Sequence, residues 1–382
     1  MNITSRLGRL WRRAIAAVAL CVGVASGADA ARVSLLTAYP GAEIFQLEGH
    51  TALRIVDDAG RDYVVNWGVF DFNSPNFVAR FVAGETDYFC WPFPTDYFLS
   101  DYRREGRLVV EQVLDLDSLQ TARLIASVEE NLKPENRVYR YNYVLDNCAT
   151  RPLELIEKAV GAPLLSDSLT TMTFRSEMQR FHELFPWYQF GIDLALGRNL
   201  DRPISERQAA FAPVTLMLRL GDTDLVKETI PIGRQTLKNQ PTPRLLTPVA
   251  VAIVVLMLSS VASCFTRFAL WFDTLFFAVQ FLAGCVITYL VFFSSHEATS
   301  PNLLLLWLNP FCLLGAVLPW IKSAKKAEIL YFFINFALLI VLSVVAPALG
   351  RGMNLAFWPL IAASALRSVD RIIRCRNTTV RS

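Results

Sequence analysis

The residues best suited to chemistry are Cys148, in YNYVLDNCATRP (141–152), and His50, in EGHTALRIV (48–56). The chain has 3 His, and of these only His50 sits in a short apolar, strand-like run. A thiol attacks as its thiolate, and a helix start or a nearby imidazole lowers its ordinary pKa of about 8.5. Residues 149–160 are expected to be helical. Pro152 suits the first turn, apolar residues recur through Leu153, Leu155, Ile156 and Val160, and Gly161 stops the run. Cys148 therefore stands at a helix start. Asn147 and the Cys148 backbone N–H, with Tyr141 or Tyr143 as a side-chain donor, are candidates for an oxyanion hole. A third polar group normally orients the imidazole. Asn66, in YVVNWGVFDF (63–72), is the first candidate, with Asp71 and Glu43 as alternatives. Arg151 is a candidate contact for a phosphate or carboxylate, or an ordinary solvated Arg. One rival reading needs no catalysis. Cys90 and Cys148 are the two cysteines between residues 31 and 244, and an oxidising compartment would let them pair.

These residues need elements to position them. Residues 32–110 hold β-type runs, RVSLLTAY, HTALRIV, RDYVVNWGVF and RLVVEQVL, separated by turn residues such as Asp57-Asp58-Ala59-Gly60. The first three are expected to form a small antiparallel sheet. NFVARFVAG (76–84) reads as a short helix ended by Gly84. Residues 117–132 read as a helix capped by Asp117 or Ser118, with Leu119, Leu124, Ile125, Val128 and Leu132 as its apolar stripe. FHELFPWYQFGIDLALG (181–197) is amphipathic and aromatic. It suits either core packing or a surface resting on lipid.

Composition sets the compartment. The chain has 382 residues, is 53% hydrophobic and carries a net charge of +3. That is too apolar for an ordinary soluble enzyme, and so small a charge gives no reason to expect nucleic-acid binding. Residues 1–30 read as an export signal. Arg6, Arg9, Arg12 and Arg13 form a basic start, an apolar stretch follows at 14–27, and Ala28-Asp29-Ala30 fits small-x-small cleavage. An uncleaved anchor would equally place the next segment outside. From residue 245 the chain is almost continuously apolar, with spans expected at 247–266, 269–294, 302–320, 328–349 and 353–367. If residues 31–244 lie outside, five spans put the C-terminus inside. The inside loops then carry Arg267, Lys322, Lys325, Lys326, Arg367, Arg371, Arg374 and Arg376, and the outside loops only Arg351. The expected division is a signal at 1–30, a periplasmic domain at 31–244, a transmembrane domain at 245–368 and a basic cytoplasmic tail at 369–382. The loop FFSSHEATSPN (292–302) then faces the same side as Cys148. This makes His296 and Asn302 candidates for a site at the membrane face.

In order, GHTALRI, YVVNWGVFDF, NFVARFVAG, YRYNYVLDNCATRP and FGIDLALGRNLDRPIS resemble the Lnb family of lipoprotein N-acyltransferases. SHEATSPNLLLLWLNP (295–310) looks like the outer-loop motif of that family's membrane domain. The resemblance implies an α+β papain-like periplasmic domain, a permuted NlpC-like form, followed by an all-α transmembrane bundle of about five helices in the inner (cell) membrane. It also implies thiol acyl transfer. Cys148 would take an acyl chain from a phospholipid donor, and the α-amino group of a lipoprotein's diacylglyceryl-cysteine would accept it. His50 would be the base, with Asn66, Asn147 and Arg151 in supporting roles and neither cofactor nor metal required. Two other readings remain open: an NlpC-like cell-wall amidase or peptidase using the same pair, and a membrane scaffold with a Cys90–Cys148 disulfide.

Overall fold

The computed structural model describes residues 31–350 and 352–380, so the expected export signal lies outside the described residues. Nine strands are present among them: β1 (Arg32–Ala38), β2 (His50–Val56), β3 (Asp62–Val69), β4 (Asp87–Pro94), β5 (Val109–Leu114), β6 (Val138–Arg140), β7 (Leu169–Thr173), β8 (Pro203–Ser205) and β9 (Val226–Ile232). Seven form one antiparallel sheet in the order β6-β4-β3-β2-β1-β5-β9, and β7 and β8 form a separate pair. The expected three-strand sheet is thus the centre of a wider one. Its outer strands β6 and β9 come from far along the chain, where local alternation carries little signal.

Both faces of the sheet are covered, and the side-chain period of two assigns each residue its face. Leu35, Leu53, Val65 and Trp67 pack with Leu124, Val128, Leu153 and Ile156. These partners belong to α3 (Ser118–Leu132) and α4 (Thr150–Val160), which follow α1 (Phe77–Ala83) and α2 (Thr95–Arg104) in the chain. On the other face Leu36, Ala52 and Val64 pack against Phe98 of α2. The α3 helix starts where expected. Asp117 accepts from the Gln120 N–H at 2.8 Å, and Gln120 returns a bond to the Asp117 N–H at 3.0 Å. Its stripe differs by one residue. Leu119 is exposed, and Thr121 takes its place with Leu124 and Val128, because positions 121, 124 and 128 follow the 3–4 spacing and 119 does not.

After α4 come α5 (Phe174–His182), α6 (Pro186–Ala195), α7 (Glu206–Ala209) and α8 (Pro213–Gly221). The amphipathic stretch containing α6 serves a third purpose. Its Phe190 and Leu194 pack on Leu304, Trp307 and Phe357 of the following bundle, so its apolar face docks one domain onto the other.

The C-terminal bundle comprises α9 (Pro248–Ala262), α10 (Thr266–Phe292), α11 (Cys312–Val317), α12 (Lys325–Ala348) and α13 (Phe357–Val380). Two stretches, Thr266–Phe292 and Lys322–Ala348, are long and apolar enough to cross a membrane. The expected third span is not one continuous helix. Residues 303–306 and 318–320 are 3-10 turns flanking the six-residue α11, in a stretch that contains Pro310 and Pro319, where proline removes helical N–H donors. α13 runs on through the expected tail to Val380, and Arg367, Arg371 and Arg374 on it are paired. Arg367 is fully buried and bonds Asp273 at 2.5 and 3.0 Å, while Arg371 pairs with Glu328. Carboxylates within apolar helices are costly alone and recruit such partners.

Candidate functional site

The His50 ring is placed by neighbouring strands. Ala52 of β2 pairs with Asn66 of β3, which brings the two side chains to the same end of the sheet. His50 Nε2 lies 2.8 Å from Asn66 Oδ1. An amide oxygen only accepts, so Nε2 carries the proton and Nδ1 keeps the basic lone pair. Of the three candidate orienting groups, Asn66 is the one that reaches His50. Asp71 instead accepts from the Asn73 N–H in its own turn, and Glu43 forms a local capping box with Gln46.

Cys148 sits just before α4 and is 7% exposed. The Thr51 backbone N–H, the Tyr141 hydroxyl and its own N–H lie near enough to the sulfur to favour its thiolate. Thr51 directly follows His50, so the thiol packs against the strand that carries the imidazole. Burial outweighs these donors and pushes the thiol up to about 11. Burial also pulls His50 down to about 4, against the opposing effect of the Asn66 bond, and Arg107 adds a further lowering. At neutral pH Cys148 is therefore a neutral thiol and His50 a neutral imidazole. Beside Asn66 a cleft of about 220 Å³ opens to solvent, with Tyr102 and Arg107 among its walls.

Several expected roles differ in the structure. Asn147 holds the bend before α4. Its Nδ2 donates to Tyr143 O at 2.8 Å and Phe211 O at 3.0 Å, and its Oδ1 accepts from the Ala149 and Thr150 N–H groups. Tyr143 donates to Glu48, leaving Tyr141 as the tyrosine hydroxyl at the sulfur. Arg151 is held by Asp146 and stacks 3.6 Å over the Tyr139 ring. His296 and Asn302 act as docking residues. His296 Nε2 donates to Phe81 O at 2.7 Å, and Asn302 Nδ2 donates to Leu194 O at 2.8 Å. Both cap the ends of periplasmic helices from the membrane side. Cys90 and Cys148 are both free thiols.

Gly68 makes the close packing at the thiol feasible. Its φ is +87°, and a Cβ there would lie 3.2 Å from the Tyr141 ring and 3.8 Å from Cys148 Cβ. Gly68→Ala is expected to cost about 1–3 kcal/mol, seen as a lower thermal unfolding midpoint. Gly60→Ala is the control, with a φ of +74° and no neighbour within 4 Å. It isolates the backbone strain, so equal losses in the two variants would rule out a role for the Tyr141–Cys148 contact.

A second buried histidine lies behind the thiol. His182 Nε2 contacts Glu48 Oε1 at 2.7 Å and its Nδ1 contacts Gln189 Oε1 at 2.7 Å. Gln189 in turn donates to Asp193, whose other oxygen accepts from Asn354 at 2.8 Å. A continuous polar chain thus runs from Tyr143, near the thiol, to the membrane bundle. Nothing local in the sequence marks this pair, whose members stand 134 residues apart.

The two halves of the chain match two family models. Residues 25–180 match the Lnb N-terminal periplasmic domain, and residues 237–378 match the Lnb transmembrane domain. The chain belongs to the Lnb family. No curated protein and no solved structure matches it. The Lnb architecture here is a mixed α/β periplasmic domain followed by a membrane-spanning domain of about five helices. The stretch between the two matches, 181–236, supplies β9 and α8 of the periplasmic core and His182 of the buried pair.

Proposed function

We propose that this Lnb-family protein is a thiol acyltransferase that moves an acyl chain from a phospholipid to the α-amino group of a lipoprotein's diacylglyceryl-cysteine. The observation that carries this reading is the His50–Asn66 hydrogen bond on the sheet against which the helix that begins after Cys148 packs. His50 Nδ1 takes the thiol proton as sulfur attacks the ester carbonyl. The C–S bond forms, the ester C–O bond breaks, and the imidazolium returns its proton to the leaving alcohol. The acceptor amine then attacks the thioester, His50 takes its proton, the C–N bond forms and the thiol is regenerated. The Cys148 N–H and the Tyr141 hydroxyl suit the developing oxyanion. A sheet flanked by a helix with the thiol at its start fits a papain-like, permuted NlpC-like domain. We take 31–244 as that domain, and place the bundle in the inner membrane with its C-terminus cytoplasmic. Holding the thiol against a membrane domain confines it with lipid-anchored substrates, much as a tether raises effective concentration.

The test uses the full chain in detergent with phospholipid. A mass increase of one acyl group, hydroxylamine-labile and mapped to the Cys148 peptide, is the expected result, followed by its loss on adding a diacylglyceryl-cysteine peptide. Release of peptidoglycan fragments with no lipid adduct would instead favour a cell-wall hydrolase.

A further inference from the structure

We propose that a file of aromatic rings leading from the membrane face to Cys148 binds the acyl chain being transferred. The inference rests on the acyltransferase reading and extends it to the path of the donor's chain. Tyr141, whose ring packs with Cys148 around Gly68, stacks on Tyr88 with centroids 4.6 Å apart. Tyr88 meets Phe70 at 5.3 Å, and Phe70 meets Phe72 at 4.5 Å and Phe77 at 5.8 Å. Phe77 stacks on Phe81 at 6.0 Å, and Phe81 meets the His296 ring at 6.0 Å. His296 lies in the loop that leaves α10, just beyond the exposed Phe292 and Phe293. Ring contacts therefore run without a break from the end of a membrane-crossing helix to the residues packed at the thiol.

Exposure along the file separates a chain-binding surface from a simple membrane anchor. Phe81 is 47% exposed and Phe72 57%, whereas Tyr88 is 9% exposed. An anchor would need only the outer rings, together with Val78 and Phe45 beside them, to rest among lipid headgroups. Here the rings continue inward and end at the nucleophile. Arg80, at the outer edge, is paired with Asp87. Clustered exposed rings such as Phe72 and Phe81 mark a binding site, and the bilayer beside them supplies the occupant. The fatty acyl chain of a bilayer phospholipid lies along the rings, with its carbonyl at Cys148 and its methyl end toward Phe81.

Photo-crosslinking tests this without needing turnover. The full-length Cys148→Ser protein is placed in phosphatidylcholine bilayers whose lipid carries a diazirine either near the ester or near the chain end. Ester-proximal label is expected on residues 88 and 141, and chain-end label on 72–81. Phe72→Ser and Phe81→Ser, both at exposed positions, are expected to lower the chain-end yield roughly fivefold through lost apolar contact. Leu119→Ser, at an exposed position on α3, is expected to leave it unchanged. Labelling confined to the transmembrane helices, or insensitive to the diazirine position, overturns the proposal. The two readings fail separately. A crosslinked file with no Cys148 thioester in the wild type defeats the transferase and leaves a lipid-binding surface, and a thioester without file crosslinks does the reverse.

Discussion

Replacing Cys148 with Ser, or His50 with Ala, is expected to lower formation of the acyl adduct by about 10³-fold or more in each case. The double variant should be little worse than the more damaged single one. In the proposed mechanism the nucleophile and its base act as one unit, so removing either leaves only binding and oxyanion stabilisation. Adduct formation in single-turnover mass spectrometry checks both claims, and losses that multiplied in the double variant would show that the residues act separately. The pH profile provides an independent check. Burial holds His50 at about 4 and Cys148 at about 11, so the resting pair does not titrate across neutral pH. The rate should be level there and fall on the acid side as His50 takes a proton. A limb at roughly 8.5, the value for a free thiol, would contradict a buried Cys148. Stability should follow the same sign. The unfolded chain's His50 binds a proton near 6.5 and the folded one only near 4, so this contribution is full above 6.5 and is lost as pH falls toward 4.

How much of this site can be read from the sequence depends on how local its cause is. The helix before which Cys148 sits was legible because Gly161 and the apolar period are local, and Gly161 does cap it, at a φ of +85°. His50 and Asn66 were legible as neighbours because two alternating runs joined by a tight turn must pair. The surroundings of the other supporting residues were not legible. Asn147 and Arg151 have donors suited to a substrate, but partners distant in sequence or fixed by the bend already occupy them. Glu48 and His182 show the opposite failure, because a buried carboxylate beside a strand looks like any surface Glu until its partner is known. The paired arginines of α13 had a readable sign. Asp273 and Glu328 lie within apolar helices, and an acid there calls for a cation.

The largest effect on stability is expected at Arg175, with the consequence felt at the membrane. Arg175 bonds Asp193 at 2.7 Å, Asp201 at 2.7 Å, and the carbonyls of Leu196 and Gly197. All three charged side chains are buried. The same two carboxylates receive the bundle, Asp193 from the Asn354 side chain and Asp201 from the Gly352 N–H at 3.3 Å. Arg175→Met would leave two buried carboxylates without their cation, at a cost of about 3–5 kcal/mol. Thermal unfolding in detergent is expected to show the loss. Arg175→Lys should recover only part of it, since an ammonium cannot span both carboxylates as the guanidinium fork does. Adding Asp201→Asn to Arg175→Met should recover part by removing one of the stranded charges. Arg175 lies outside the thiol site, so Cys148 should still react with a small water-soluble alkylating reagent at its former rate under conditions where the variant remains folded. Acylation from intact vesicles should fall, because the periplasmic domain would no longer be held in register with the outer loop. An Arg175→Met protein as stable as the wild type would mean that the apolar contacts of Phe190 and Leu194 carry the docking alone.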